Sequence, residues 1–580
     1  MMNYTETQSY IEQKNSLGIH PGLDAVLAVL SELKNPERAV PAIHIAGTNG
    51  KGSIMTFVES ALIGEGLKVG RYISPVISGY RERWTVNRSM PEKEKVAELF
   101  TKIREAEKKT GTELTAFEAE TAAAFLLFRD EKCDIMLIEC GMGGRLDATN
   151  VMPEKVVDIL ASVSLDHMQY LGDTREKILH EKLGIVQQGD VLVTAPLDES
   201  LREEMEKTEC RWVETRLPDN AEYGKDGTEF TFDDMKISLS MPGSTALENA
   251  VTALTALKVY NKRAGQFGLC PVEKRIIPEA FHNTRWPGRF DLIRENPAVI
   301  VDGAHNRDAW IRLAENMKML YPGRLMLVTG VLADKEVECL ADTFTPLSKK
   351  VFTFTPDSPR ALQGEKMAEL FESRGIPAVC CVSASEALTA ALKEAAAEDV
   401  ILAAGSLTFT GELLNKREET AMFRVRRIIE DEYYKKQIKK IIFSEYEREF
   451  CRHGFGHVSS VARIAYILSL EAGSGIPKEI IYATALLHDI GRYTELEKKM
   501  SHHEAGAVIA DKILTRAGFT EKERQLITAA ISEHKDPGEH TDTLSGILFR
   551  ADKLSRNCFV CDVREECYWP EERKNKTIWV

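Results

Sequence analysis

His44-Ile45-Ala46-Gly47-Thr48-Asn49-Gly50-Lys51-Gly52-Ser53 is the stretch from which the rest of the chain is best read. Upstream, Arg38–Ile45 is short, apolar and β-branched, which predicts a buried strand. Downstream, Met55, Val58, Leu62 and Ile63 recur at helical spacing. Glycines between a strand and a helix let backbone N–H groups converge on a phosphate at the positive end of that helix. Gly47, Thr48, Asn49, Gly50 and Gly52 would form the cradle, Lys51 would meet the β/γ-phosphates, and Ser53 would offer a hydroxyl to Mg²⁺. The common phosphate-loop pattern has Lys followed directly by Ser or Thr; here Gly52 intervenes. The alternative, a glycine-rich turn with no ligand, gives Lys51 and Ser53 no work at the helix mouth.

At 580 residues the chain is too long for one core, and three or four domains are expected. The composition, 43% hydrophobic and 28% charged, is that of a globular protein. A formal net charge of −14 argues against general nucleic-acid binding, because most of the surface would repel phosphate backbones. Met1–Asn15 is polar, unlike a signal peptide, and no apolar run is long enough to span a membrane. Eleven cysteines in such a chain point to reduced thiols and a cytoplasmic setting. Seven of the thirteen histidines lie after residue 450, which announces a second chemistry there.

Ala46-Gly47-Thr48-Asn49-Gly50-Lys51-Gly52-Ser53 resembles the nucleotide loop of the folylpolyglutamate synthase and dihydrofolate synthase family, a branch of the Mur-type ATP-dependent amide ligases. Gly141-Met142-Gly143-Gly144-Arg145-Leu146-Asp147-Ala148-Thr149-Asn150 resembles a second signature of that family nearly residue for residue. Strands are expected at Lys68–Ser74, Asp134–Glu139 and Val156–Leu165. Thr115 and Glu118 stand as a capping box at a helix start, while the resemblance assigns Glu118 to Mg²⁺. It also implies that His167 binds a second Mg²⁺ and that Asn249 faces the adenine. Lys182 falls at a lysine that is often carbamylated in the family; an exposed helix lysine is the plainer reading. One segment departs from the family: Ser74-Pro75 continues as Val76-Ile77, where His-Leu is usual, and Glu82-Arg83 is followed by Trp84 rather than Ile. That segment lies near the pterin-bearing substrate in the family.

Trp286-Pro287-Gly288-Arg289 resembles the opening of the family's C-terminal ligase domain, and Asp302-Gly303-Ala304-His305-Asn306 a further signature. The resemblance implies that Arg289 reaches the ATP phosphates, Asp302 the ribose and His305 the nucleotide. Strands at Leu325–Thr329, Val351–Phe354 and Val400–Ala403 alternate with apolar-faced helices, the pattern of an open, mainly parallel sheet. The implied reaction activates an acceptor carboxylate as an acyl phosphate, which the α-amine of glutamate attacks. Its implied partners are ATP, L-glutamate and a folate or dihydropteroate, with a different carboxylate acceptor as the alternative.

Beyond residue 440 the chain changes character. Ala483-Thr484-Ala485-Leu486-Leu487-His488-Asp489-Ile490-Gly491 resembles the motif of HD-domain metal-dependent phosphohydrolases, and His457 and Asp552 complete an H…HD…D set. Imidazole and carboxylate donors suit Mn²⁺, Fe²⁺, Co²⁺ or Zn²⁺. His502 and His534 are candidates for a second metal or surface histidines, and His503 and His540 read as solvent-facing neighbours. The implied substrate is a phosphorylated small molecule; a nucleotide-sensing, non-catalytic module is the alternative. Cys558-x-x-Cys561 with Cys567 is half of a zinc-like pattern unless Cys451 or His453 joins it; reduced thiols in a packed turn are the other reading.

The expected fold is therefore α/β: a Mur-ligase-like P-loop domain over 1–285 and a Rossmann-like C-terminal ligase domain over 286–425. A helical linker over 426–445 and an all-α HD domain over 446–580 would follow.

Overall fold

The computed structural model describes residues 1–18, 22–77, 79–448, 450–494, 501–533 and 542–578. The chain divides into two units, the first containing Met1–Leu292, Val299–Ala395 and Asp399–Asn415.

The first unit is built on two sheets. Strands β1 (Ala42–Ala46), β2 (Val69–Tyr72), β3 (Trp84–Val86), β4 (Ile135–Glu139), β5 (Lys155–Leu160), β6 (Val191–Thr194) and β7 (Arg211–Glu214) form one, in the order β3-β2-β4-β1-β5-β6-β7. All its pairings are parallel except β2 with β3. Every residue of β1, β4 and β5 is buried, as a strand covered on both faces requires. The chain leaves β1 toward β2 on one side and later enters β5 on the other. The C-terminal end of β1 is therefore a point where the direction of winding reverses, the place such sheets hold ligands.

The expected strand over Arg38–Ile45 begins later, at Ala42, because Pro36–Arg38 forms a turn of 3₁₀ helix and Pro41 precedes the strand. The strand expected over Val156–Leu165 ends at Leu160, because Ser162 and Ser164 turn aside to bond the glycine loop. The helix Lys51–Gly64 buries every residue from Ser53 to Leu62, between the sheet and the helix Ser244–Arg263. A small antiparallel sheet of β8 (Glu222–Gly224), β9 (Gly227–Phe232) and β10 (Met235–Leu239) follows.

The second large sheet contains β11 (Asp291–Glu295), β12 (Ala298–Val301), β13 (Leu325–Thr329), β14 (Ser348–Phe354), β15 (Ala378–Cys381) and β16 (Val400–Ala403), in the order β11-β12-β16-β13-β14-β15. Its core includes Ile300, Trp310, Leu327, Val351 and Leu402.

The second unit comprises Lys416–Val580 with Ile293–Ala298 and Ala396–Glu398. Its described core is helical, drawn from Phe455–Glu471, Lys478–Leu487, His502–Ala517, Glu521–Glu533 and Leu544–Leu554. The main segment of this unit begins at Lys416. The segment read as a linker, 426–445, contributes Ile428, Tyr434, Ile438 and Ile441 to this core. Just before it, the buried Arg424 pairs with Glu479 and Glu523, each at 2.7 Å. An amphipathic pattern rich in Lys and Glu does not distinguish a solvated connector from a helix that packs one face.

Candidate active sites

In the first unit, the loop after β1 turns at Gly47 and Gly50, both with positive φ. A Cβ on Gly50 would lie 2.4 Å from Asn249 Oδ1, and one on Gly52 would lie 2.8 Å from the Trp286 ring. The glycine that breaks the usual phosphate-loop spacing is thus the floor on which Trp286 rests. The Thr48 N–H donates to the Ser162 carbonyl at 2.7 Å and the Asn49 N–H to Ser162 Oγ at 3.2 Å, pinning the loop to the chain beyond β5.

Gly47 to Ser53 line one cavity together with Glu139, Asp166, His167, Lys182, Asn249, Arg289, Asp302 and His305. Lys51 Nζ donates to the Gly47 carbonyl at 3.1 Å and lies 3.7 Å from Glu139 Oε1. Glu139 ends β4, and burial raises its carboxyl pKa against the pull of Lys51. Lys182 is held at about 8 by burial and by repulsion from Lys51. Burial also lowers His167, whose backbone adopts φ 50° at the head of the short helix Met168–Leu171.

Asp302 follows β12 and accepts from the N–H groups of Phe290 at 2.7 Å and Ala304 at 2.8 Å. It therefore shapes the turn that presents Arg289 and His305. His305 Nδ1 lies 2.9 Å from the Gly303 carbonyl oxygen, so Nδ1 carries the hydrogen. Burial pushes its pKa down to about 4, leaving Nε2 an acceptor at neutral pH.

Glu118 is not among the residues lining this cavity. Its carboxylate accepts from the Thr115 N–H at 2.7 Å and the Thr115 hydroxyl at 2.8 Å, completing the capping box, and it borders a neighbouring cavity of about 500 Å³. That cavity also meets Phe117, Arg145, Asp147 and Tyr170, and it shares Ser74 and Gly141–Gly143 with the first. The carboxylate that does face Lys51 is Glu139, which the sequence reading passed over. Its one signal was its place at the end of a central strand beside the loop. Asn306 was likewise passed over as a site residue. It donates to Asn49 Oδ1 at 3.0 Å and to Asp166 Oδ2 at 3.2 Å, while Lys335 pairs with Asp166 at 3.0 Å.

In the second unit, His457 lies on the helix Phe455–Glu471, His488 caps Lys478–Leu487, and Asp552 lies on Leu544–Leu554. The first of these helices packs against the other two, which brings the three segments together. His457 Nε2 is 3.3 Å from Asp552 Oδ1 and 3.6 Å from Asp489 Oδ2. His488 Nδ1 lies 2.7 Å from the Ala485 carbonyl, to which it donates, and its Nε2 lies 3.3 Å from Asp489 Oδ2. The two carboxylates drive His457 up to about 9 despite burial, and His457 and His488 hold both aspartates below the usual carboxylate range.

The donor atoms of His457, His488 and Asp552 all lie within 4.8 Å of one another, as do those of His453, His457 and Asp489. The sequence offers His453 only as a partner for the cysteines. Its Nδ1 sits 2.9 Å from Glu445 Oε1. His502 opens the helix His502–Ala517, and its side chain lies outside the described groups, as does all of His534. His503, expected at the surface, is buried.

The model of the Mur ligase middle domain matches residues 45–257, and that of the Mur ligase glutamate ligase domain matches 288–407. An HD-domain model matches 454–557. The class is thus a Mur-type ligase carrying an HD domain. Within it, the chain belongs to the folylpolyglutamate synthase/dihydrofolate synthase family. It is 32% identical to the dihydrofolate synthase/folylpolyglutamate synthase of Bacillus subtilis over 62% of this chain and 86% of that protein. It is 30% identical to the folylpolyglutamate synthase of Lacticaseibacillus casei over 70% of this chain and 96% of that one. Among solved structures, E. coli FolC in complex with DHPP and ADP superimposes with a TM-score of 0.64 at 28% identity, covering 72% of this chain and 98% of that one. The Yersinia pestis bifunctional enzyme complexed with AMPPNP and Mn ion gives 0.62 at 26%, covering 72% and 98%.

Proposed function

We propose that the first unit uses ATP to join L-glutamate to the carboxylate of a folate or dihydropteroate. The observation that carries this reading is the convergence of the glycine loop, Lys51, Glu139, His167, Lys182, Arg289 and His305 on one cavity. A free carboxylate is a poor electrophile. Transfer of the γ-phosphoryl group would give an acyl phosphate, and the α-amine of glutamate would then displace phosphate. Lys51 and Arg289 would neutralise charge on the transferring group, where positioning and electrostatics supply most of the catalysis. Asn249 would meet the base, Asp302 would support the nucleotide through its turn, and the neighbouring cavity would take the acceptor.

The donor set suits Mg²⁺: the hard oxygens of Glu139 and Ser53 with His167 alongside. When bound, Mg²⁺ supplies positive charge beside the phosphates. Lys182, if carbamylated, would add an anion to the same wall. Incorporation of labelled glutamate into folate or dihydropteroate with ATP tests the reading; no product with either acceptor would remove it. A different carboxylate acceptor is the alternative raised by the departures at Val76-Ile77 and Trp84; Trp84 itself is buried in the core and gives its indole N–H to the Glu120 carbonyl. A panel of carboxylate acceptors separates the two.

We further propose that the second unit is a metal-dependent phosphohydrolase acting on a phosphorylated small molecule. Two overlapping histidine–carboxylate sets fit one or two divalent transition metals such as Mn²⁺, Fe²⁺ or Zn²⁺. Such a metal supplies a nucleophile at neutral pH. Arg452 and Arg556, the latter 3.5 Å from Asp552 Oδ2, line the cavity that His457 borders and would hold a phosphate there. Phosphate release by the full chain with Mn²⁺, lost in Asp489→Ala, is the expected result; nucleotide binding without turnover would favour the sensor reading. Eleven unpaired cysteines support placement in a reducing, cytoplasmic compartment.

A further inference from the structure

The cavity bordered by His457 has a second distinctive wall. Its volume is about 380 Å³, and Cys451, Cys558, Cys561 and Cys567 all line it. Cys451 stands more than a hundred residues from the other three in sequence, and the fold returns it to them. A contact flanking the cysteines registers this return. The ring of Phe450, beside Cys451, meets that of Tyr568, beside Cys567, edge-on at 5.8 Å. None of the four thiols forms a disulfide.

The segment that carries three of these cysteines lacks an ordinary reason to hold its shape. From Ser555 to Ile578 its only helical elements are the short turns Cys558–Val560 and Glu571–Arg573. Three of its large apolar residues face water: Val560 is 69% exposed, Tyr568 73% and Ile578 75%, while Trp569 is half-buried under the Arg556 guanidinium at 3.9 Å. The rest of what ties it down is polar. Asn575 donates to the Lys553 carbonyl at 2.9 Å and the Arg556 carbonyl at 2.7 Å, and Arg564 donates to the Cys558 carbonyl at 3.0 Å. A chain of this length that buries so little apolar surface usually relies on a disulfide or a metal. Disulfides are absent here, so four thiols around one space leave a metal as the remaining staple.

We propose that Cys451, Cys558, Cys561 and Cys567 form a four-thiolate transition-metal centre, separate from the histidine–aspartate site. On binding, each thiol gives its proton to solvent and each sulfur donates an electron pair to the metal. The resulting negative charge faces Arg564 and Lys574, which lie on the cysteine segment and line the same cavity. The chemistry of four soft sulfurs selects zinc or an iron–sulfur cluster over Mg²⁺ or Ca²⁺. No three of the four thiols have sulfurs that all lie within 4.8 Å of one another, unlike the histidine sets. A single zinc, with Zn–S bonds of about 2.3 Å, would draw them inward, whereas a polynuclear cluster would fill the wider span.

The test is elemental analysis and visible absorption of the full chain purified without oxygen, alongside Cys561→Ser and Cys567→Ser. Iron with broad visible absorption, or colourless zinc, supports the proposal and identifies the occupant, provided both serine variants lose it and Asp489→Ala keeps it. Metal content unchanged in the serine variants overturns the proposal. Thiol labelling of the unmodified chain guards against variants that fail to fold. The four cysteines should resist modification until a chelator is added, and immediate labelling of all four would also overturn the centre. Both readouts are independent of phosphate release, so they stand or fall apart from the phosphohydrolase reading.

Discussion

In the first unit's cavity, the groups set to meet phosphate belong largely to backbone: a loop of three glycines at a helix mouth, pinned by Ser162 and Asn306. In the second unit's cluster, the donors are side chains from three packed helices, and backbone matters only where the Ala485 carbonyl orients His488. A backbone site depends on glycines that cannot be replaced and on one cation that completes it. A side-chain site depends on mutual charge, and it can be erased by removing one carboxylate while the backbone stays intact. Substitutions chosen from each class should therefore separate the two activities cleanly.

The largest expected effect is on the ligase. Lys51→Ala removes the cation nearest Glu139 and the glycine loop, and glutamate incorporation should fall about a thousandfold. Phosphate release by the same protein should be unchanged. The reciprocal variant, Asp489→Ala, should lower metal content and cut phosphate release by about a hundredfold or more, with ligase turnover intact. Chelation should mimic it at the second site. If either substitution impaired both reactions equally, the division into independently built sites would be wrong.

A glycine pair sharpens the contrast. Gly50→Ala forces an L-residue to φ +89° with its Cβ 2.4 Å from Asn249 Oδ1, a strain of about 1–3 kcal/mol, so nucleotide affinity by calorimetry should fall about tenfold. Gly456→Ala, next to His457, meets nothing within 4 Å and should leave metal content and phosphate release where they were.

These differences also explain what could be read in advance. The glycine loop, the run Gly141–Asn150 and the segment Asp302–Asn306 were legible because the residues that act together are contiguous, and backbone-built sites must be. The H…HD…D set was legible because two of its members are adjacent. Glu139 was not, nor was the place of His453 beside His457, since the sequence offers His453 only as a partner for the cysteines. Each is one common side chain whose meaning comes from a neighbour brought near by sheet order or chain packing: Lys51 across β1 and β4, and His457 across a short turn. The packing of 426–445 was hidden for a similar reason, since the cluster that Ile438 and Ile441 join is drawn mainly from helices that come later in the chain.

Lys182 offers a pH test of the first cavity. Its folded pKa of about 8, against an ordinary 10.5, means that the unfolded chain holds a proton between those values that the folded chain has released. Stability should therefore rise with pH across that window, while the penalty for the buried ammonium is paid in full below about 8. Only the neutral amine reacts with carbon dioxide. A carbamate signal in labelled bicarbonate should grow as pH passes through about 8 and be absent in Lys182→Arg. Ligase activity should rise severalfold with it. A signal that appeared only near pH 10 would show a lysine in contact with water.

The smallest effect decides between two carboxylates. Glu118 satisfies the Thr115 N–H and hydroxyl, so Glu118→Gln keeps an acceptor for the helix start but loses its charge at the positive end, costing about 1 kcal/mol of stability or less. Nucleotide affinity and the dependence of turnover on Mg²⁺ should not change. Glu139→Gln leaves that helix untouched but removes the anion facing Lys51, and the Mg²⁺ requirement should shift to higher concentration with a large loss of turnover. The reverse pattern, magnesium dependence moving with Glu118 and stability with Glu139, would mean that this helix closes onto the nucleotide during the reaction, and that the capping box is the resting state of a ligand rather than its purpose.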